Sequence, residues 1–136
     1  MSVGARDTIN IDESVHEIYK QLTEGNDPVN APFKTMKDVF LWAACLGFEK
    51  NNRKRLGGKK VIIFRWAQFN QQIDIPMIKA ISLSEIQDPH VLINQDELIE
   101  IIEEYANGAI LDLQSITQRQ GGQPLYNFVG EILESI

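Results

Sequence analysis

Six cations fall within the eleven residues from Lys50 to Lys60, with no acid among them: Lys50, Arg53, Lys54, Arg55, Lys59 and Lys60. Cations beside a folded body gain affinity for nucleic-acid phosphates by releasing condensed counterions, without reading base sequence. The run fits a solvated loop, or a dock for an acidic protein surface, as well. A second group, Lys34, Thr35 and Lys37, stands where a helix is expected to start. Backbone N–H groups there lack partners and the helix dipole favours an anion, so the group would clamp a phosphate. A plain capped helix with two surface lysines suits the same spacing.

Other chemistry-bearing residues are sparse. Glu97, Glu100, Glu103 and Glu104 are expected on the polar side of a long helix. Paired carboxylates do acid–base work or hold metal only in a concave site, usually with a further ligand. A solvated acidic face, or a dock for a basic partner, accounts for them better. His16 and His90 are far apart, with no Cys or His at metal-ligand spacing. Cys45 falls in an apolar helix and is expected to be buried and inert. Gly57-Gly58-Lys59-Lys60 lacks the glycine spacing and the Ser/Thr of a phosphate-binding loop. Trp42 and Trp66 are expected in the core. The sequence therefore predicts no catalytic residue, no metal and no cofactor, and a protein that is not an enzyme.

The chain has 136 residues and is 43% apolar, enough for a real core and for a single domain over 1–136. No apolar stretch reaches the roughly 18 residues of a membrane span. The start has no signal-peptide pattern, and the lone cysteine rules out an internal disulfide, so a cytoplasmic location and no membrane partner are expected. Net charge is −6, which by itself argues against nucleic acid. Its distribution argues the other way. Residues 1–65 hold eleven Lys/Arg against eight Asp/Glu, and residues 66–136 hold two against eleven. Such asymmetry suits a front that meets an anion and a back that faces solvent or a partner.

These groups need elements to position them. Arg6 to Asp12 alternates polar and apolar, the period of a strand with one buried face. A helix is predicted from about Glu13 to Glu24, capped by Asp12 or by Ser14, with Val15, Ile18, Tyr19 and Leu22 in one stripe and Gly25-Asn26-Asp27-Pro28 ending it. Pro28 to Pro32 reads as a loop. A second helix is predicted from about Thr35 to Phe48, capped by Thr35 and ended by Gly47. Val61 to Trp66 reads as a strand with both faces largely buried, in a hairpin with residues near Lys54-Arg55-Leu56. Asp74 would cap a helix that Asp88-Pro89 breaks. A long helix follows from about Gln95 to Arg119, which Gly108 would kink or split; Gly121-Gly122 ends it, and a last helix begins after Pro124.

Strand, helix, helix is also the order of ribbon-helix-helix DNA binders, which the first third of the chain resembles. In that class paired strands from two chains enter the major groove. Arg6, Thr8 and Asn10 would then face bases, since Arg pairs with guanine and Asn with adenine. An ordinary edge strand with a solvated face is the plainer reading. Pairing with residues after Glu49 would satisfy the strand equally well and would remove the groove-reading surface.

Several segments resemble the DNA phosphorothioation-associated protein 4 family: Ile11–Tyr19, Pro32–Phe40, Ala43–Phe48 and Glu103–Asn107, with Phe64-Arg65-Trp66 and Asp74-Ile75-Pro76. The resemblance implies a bacterial accessory factor whose neighbours place sulfur on the DNA backbone or act on DNA lacking that mark. It transfers no catalytic residue. The expectation is an α+β, mainly α fold: a ribbon-helix-helix-like front over 1–60, then a strand and a helical back over 61–136. Its function would be that of a non-enzymatic DNA-binding accessory protein, a homodimer or larger, with double-stranded DNA and proteins of the modification system as partners. The alternative is a protein-interaction adaptor that does not touch DNA.

Overall fold

Ile9 and Ile11, alternating with Thr8, Asn10 and Asp12, form the strand that the period-two pattern predicts. The computed structural model describes residues 6–23 and 33–118. Along them run β1 (Thr8–Asp12), a 3₁₀ turn (Glu13–Val15), α1 (His16–Thr23), α2 (Met36–Glu49) and β2 (Lys60–Arg65). A 3₁₀ turn (Trp66–Gln68), α3 (Asp74–Ile86), another 3₁₀ turn (Pro89–Ile93) and α4 (Gln95–Gln118) follow. The fold is α+β and mainly helical. Among the described residues no helix is long and apolar enough to cross a membrane. The predicted helix stop at Gly25–Pro28, the loop to Pro32, the stop at Gly121-Gly122 and the helix after Pro124 lie outside the described residues.

β1 pairs antiparallel with β2 of the same chain, so the front is not a ribbon shared between two chains. The register runs Thr8↔Arg65, Ile9↔Phe64, Asn10↔Ile62, Ile11↔Val61 and Asp12↔Lys60, which leaves Ile63 as a bulge. This corrects the predicted hairpin between β2 and residues 54–56. It also corrects the doubly buried β2: Phe64 is buried, but Ile62 is 60% exposed, because a two-stranded sheet turns one face to water. The predicted first helix opens instead as a 3₁₀ turn. Asp12 caps it, accepting from the backbone N–H of Ser14 at 3.1 Å and from its hydroxyl at 2.9 Å.

α2 and α4 make the most extensive contact of the described fold. Val39, Phe40, Ala43 and Ala44 of α2 are buried, as are Leu98, Ile102, Tyr105, Ala109 and Leu113 of α4. Thr35 caps α2 as predicted, its hydroxyl accepting from the Asp38 N–H at 3.2 Å. Gly47 does not end α2. It lies inside the helix, where a Cβ would stand 2.1 Å from the Tyr105 carbonyl oxygen. Gly108 neither kinks nor splits α4: a Cβ there would meet the Asn52 carbonyl oxygen at 2.0 Å. Both glycines permit close backbone approach. Trp42 is 43% exposed on α2 and not a core residue, whereas Trp66 packs edge-on against Phe69 at 5.4 Å. Phe40, Phe64 and Phe69 join α2 to β2 and the turn after it, with edge contacts at 5.4 and 5.2 Å. Asp74 is the first residue of α3 and not its cap; its buried carboxylate accepts from the Asn70 N–H at 2.8 Å. Cys45 is partly buried against the Met77 sulfur at 3.3 Å, and burial pushes its thiol pKa up, which keeps it protonated and unreactive.

Gly47→Ala tests the α2–α4 contact. The obstructing atom is backbone, so the helices must separate, and stability should fall by about 1–3 kcal/mol in urea unfolding. A variant as stable as the parent would show the contact to be loose.

Candidate nucleic-acid interface

Arg6 enters the structure from the edge of the sheet and lies against α4. Its Nη2 donates to Glu103 Oε2 at 2.5 Å and to the Thr8 carbonyl at 3.5 Å. Its backbone N–H donates to Asp96 Oδ1 at 2.6 Å, and its carbonyl accepts from Gln95 Nε2 at 2.5 Å. The Asn10 N–H donates to Glu103 Oε2 at 2.7 Å. Glu103 is only 5% exposed, so the expectation of a solvated acidic face fails for it. A buried carboxylate needs partners, and here a guanidinium and a strand N–H supply them. Two of the groups that β1 would offer to another strand, the Thr8 carbonyl and the Asn10 N–H, are thereby occupied. Arg6, Thr8 and Asn10 form one edge, but the Arg6 guanidinium points at a carboxylate.

Thr35 and Lys37 are also engaged. The Thr35 hydroxyl caps α2, and Lys37 Nζ donates to Asp74 Oδ2 and to the Gln68 carbonyl, both at 3.2 Å. Lys34 is exposed beside them without an ion pair to any described residue.

The 50–60 cluster divides in two. Arg53 turns inward: Nε donates to Glu104 at 2.7 Å and Nη1 to Glu85 at 2.9 Å, while the Tyr105 hydroxyl donates to the other Glu85 oxygen. Glu104, partly buried, is thus another acid held in an ion pair and not part of a freely solvated face. The remaining five, Lys50, Lys54, Arg55, Lys59 and Lys60, are exposed and make no ion pair with a described residue. Their backbone is held down. Lys54 N–H donates to the Glu104 carbonyl at 3.0 Å, and Asn107 Nδ2 donates to the carbonyls of Lys54 and Arg55 at 3.3 and 3.1 Å. Asn52 Nδ2 donates to the Gly108 carbonyl at 2.7 Å, Gly57 N–H to Asp12 Oδ2 at 3.0 Å, and Glu13 N–H to the Lys59 carbonyl at 2.9 Å. Arg55 and Lys60 line a cleft of about 310 Å³ against α4, with Arg6, Leu56, Glu100, Glu103 and Glu104.

A family model described as DNA sulphur modification system-associated protein 4 matches residues 8–129. The chain belongs to this family. No curated protein matches it, and no solved structure does. The family match starts at the first residue of β1 and runs beyond α4, so the anchored basic segment lies inside the span that defines a DNA sulphur modification system-associated protein 4.

Sequence reasoning missed the anchors: Glu103, Asn107, Asn52 and the second role of Asp12. For Glu103 a signal exists. Ile99, Ile102, Ala106 and Ile110 are buried at helical spacing, and Glu103 falls inside that stripe. No pattern marks the asparagines, whose partners are backbone carbonyls more than fifty residues away.

The electrostatics follow from the geometry. Burial pushes the Glu103 carboxyl above its ordinary value of 4.5, and the bonds from Arg6 and Asn10 oppose the rise. The bonds from Ser14, backbone and then side chain, hold Asp12 below 3.8 against slight desolvation, helped by Gly57 and Lys54. A hydrogen bond from Tyr105, ahead of Arg53 and against burial, lowers Glu85. Burial and Glu85 push Tyr105 up to about 12.

Two outcomes are expected. Glu103→Ala leaves Arg6 and a strand N–H without their acceptor and should cost about 2 kcal/mol, below the figure for fully buried pairs because Arg6 is 31% exposed. The parent should also lose stability relative to Glu103→Gln as pH rises from about 4.5 towards the raised native value, because in that window the folded state holds a proton that the unfolded state has released. Chemical denaturation at stepped pH reads both, and a parent that gained stability relative to Glu103→Gln across that window would contradict the assignment. Asp12 acts in the opposite sense: its contribution is full above about 3.8 and is lost as pH falls through the lowered native value.

Proposed function

We propose that this protein is a non-enzymatic accessory factor of a DNA sulphur modification system that rests on duplex phosphates through its 50–60 segment. The observation that carries this reading is a run of five exposed cations: Lys54, Arg55, Lys59 and Lys60 on a backbone bonded to α4 and β1, and Lys50 at the C-terminal end of α2. Such a surface contacts phosphates and reads no bases. With β1 paired inside the chain and its edge closed by Arg6 and Glu103, base readout by Arg6, Thr8 and Asn10 is not part of the proposal. Nor does β1 require a second copy. The acidic remainder of the chain would repel DNA elsewhere and so orient it on this segment. The family's tie to a DNA modification system supplies the polymer, and proteins of that system are the natural neighbours.

A second reading, an adaptor that binds proteins and not DNA, is favoured by the apolar side chains left in water: Ile62, Ile73 and Ile93, the last 85% exposed. Co-purification without DNA, together with no duplex binding by the pure protein, would select it.

Duplex affinity measured against salt decides the first reading. Five phosphate contacts at most give a log–log slope no steeper than about −4.5, and each Lys or Arg→Gln change in the segment should flatten it by about one. Arg53→Gln should lower stability more than the slope. An affinity that ignores ionic strength, or survives neutralising all five, would end the proposal.

A further inference from the structure

The two edges of the small sheet are treated differently. β1's outer edge is closed by Arg6 and Glu103. β2's is not: among the described residues, the backbone of Val61–Phe64 bonds only to β1. An open strand edge is a template for another strand, and natural proteins close or blunt edges that are not used. Beside β2 lies a groove of about 330 Å³ lined by Ile63, Phe64 and Gln68 on one side and Thr35, Met36 and Lys37 of the α2 start on the other. Ile62 projects into water next to it.

We propose that β2 is a docking edge for an extended protein segment, apolar in the middle and acidic at its ends, which adds as a third strand with side chains entering the α2 groove. Strand addition of this kind draws affinity from main-chain hydrogen bonds and specificity from alternate side chains in pockets. Charge selects the occupant. β2 is bounded at one end by the exposed Lys59 and Lys60, and at the other by Arg65, which is 63% exposed and shares its charge with Asp7 at 3.3 Å; Lys37 at the groove is held by Asp74, and Lys34 stands exposed three residues before it in the chain. Two copies of β2 paired antiparallel would bring the Lys59–Lys60 end of each near the Arg65 end of the other, and like charges brought together across a strand pair destabilise it. An acid-ended segment meets the same cations favourably. The inference holds whether or not the 50–60 segment touches DNA.

The test uses the full chain and a synthetic peptide of about seven residues alternating Val and Thr, with Asp at one end and Glu at the other. Amide hydrogen exchange at Val61–Phe64 should slow on adding it, while that of α4 stays unchanged. Arg65→Glu should weaken binding about tenfold and Arg65→Lys should retain it. The same peptide with Lys ends, or with proline replacing its central residues, should not bind. Equal binding of acid-ended and Lys-ended peptides would overturn the proposal, as would unchanged exchange at β2. A dimer by sedimentation that Ile62→Glu dissociates would assign the edge to a second copy and overturn it too.

Discussion

A single buried carboxylate organises the front of this molecule. Glu103 emerges from the apolar stripe of α4 and would be costly to bury alone. Arg6 and the Asn10 N–H compensate it, and in doing so they fasten the strand to the helix. Gln95 and Asp96 add bonds to the same chain entry. β1 is thus held on one side by β2 and on the other by α4, and the sheet can have no more than one open edge. A neutral isostere would keep part of the hydrogen bonding but not the charge that draws Arg6 inward.

That constraint decides which cations remain available. Arg6 neutralises Glu103, Lys37 bridges to Asp74 and Arg53 is bound between Glu85 and Glu104. Each of these pairs joins two elements, so the front's positive excess partly serves to hold the acidic back in place. What stays outside is concentrated in one anchored segment. Anchoring matters, because ordering flexible side chains and backbone on binding costs affinity. The asparagines at 52 and 107 fix the backbone beforehand and leave only the side chains to be ordered.

Under the proposed reading, a protein built this way would meet a uniform polymer and would not read its sequence. The strand that would supply base contacts is closed in, whereas the loop that supplies charge is open. Membership in a family associated with DNA sulphur modification fits a role beside other proteins of such a system. The edge of β2 left open among the described residues lies on the sheet away from the Glu103 contact, and the segment proposed to meet phosphate adjoins it only through Lys59 and Lys60.

The sequence determined the elements whose signals are local. The alternation of Ile9 and Ile11 made a strand, Thr35 capped α2, and the spacing of Leu98, Ile102, Tyr105 and Leu113 made α4. It also placed the basic run between Lys50 and Lys60. Tertiary structure decided the rest, because those choices depend on partners distant in the chain. Gly47 and Gly108 read as helix breakers, yet each admits a neighbouring carbonyl. Glu103 reads as a surface acid until Arg6 arrives from ninety-seven residues away. The ribbon-like order of the first third was compatible with pairing between chains or within one. The choice fell to β2, since an antiparallel strand in the same chain costs no association entropy, and α4 lies across the edge that a second chain would need.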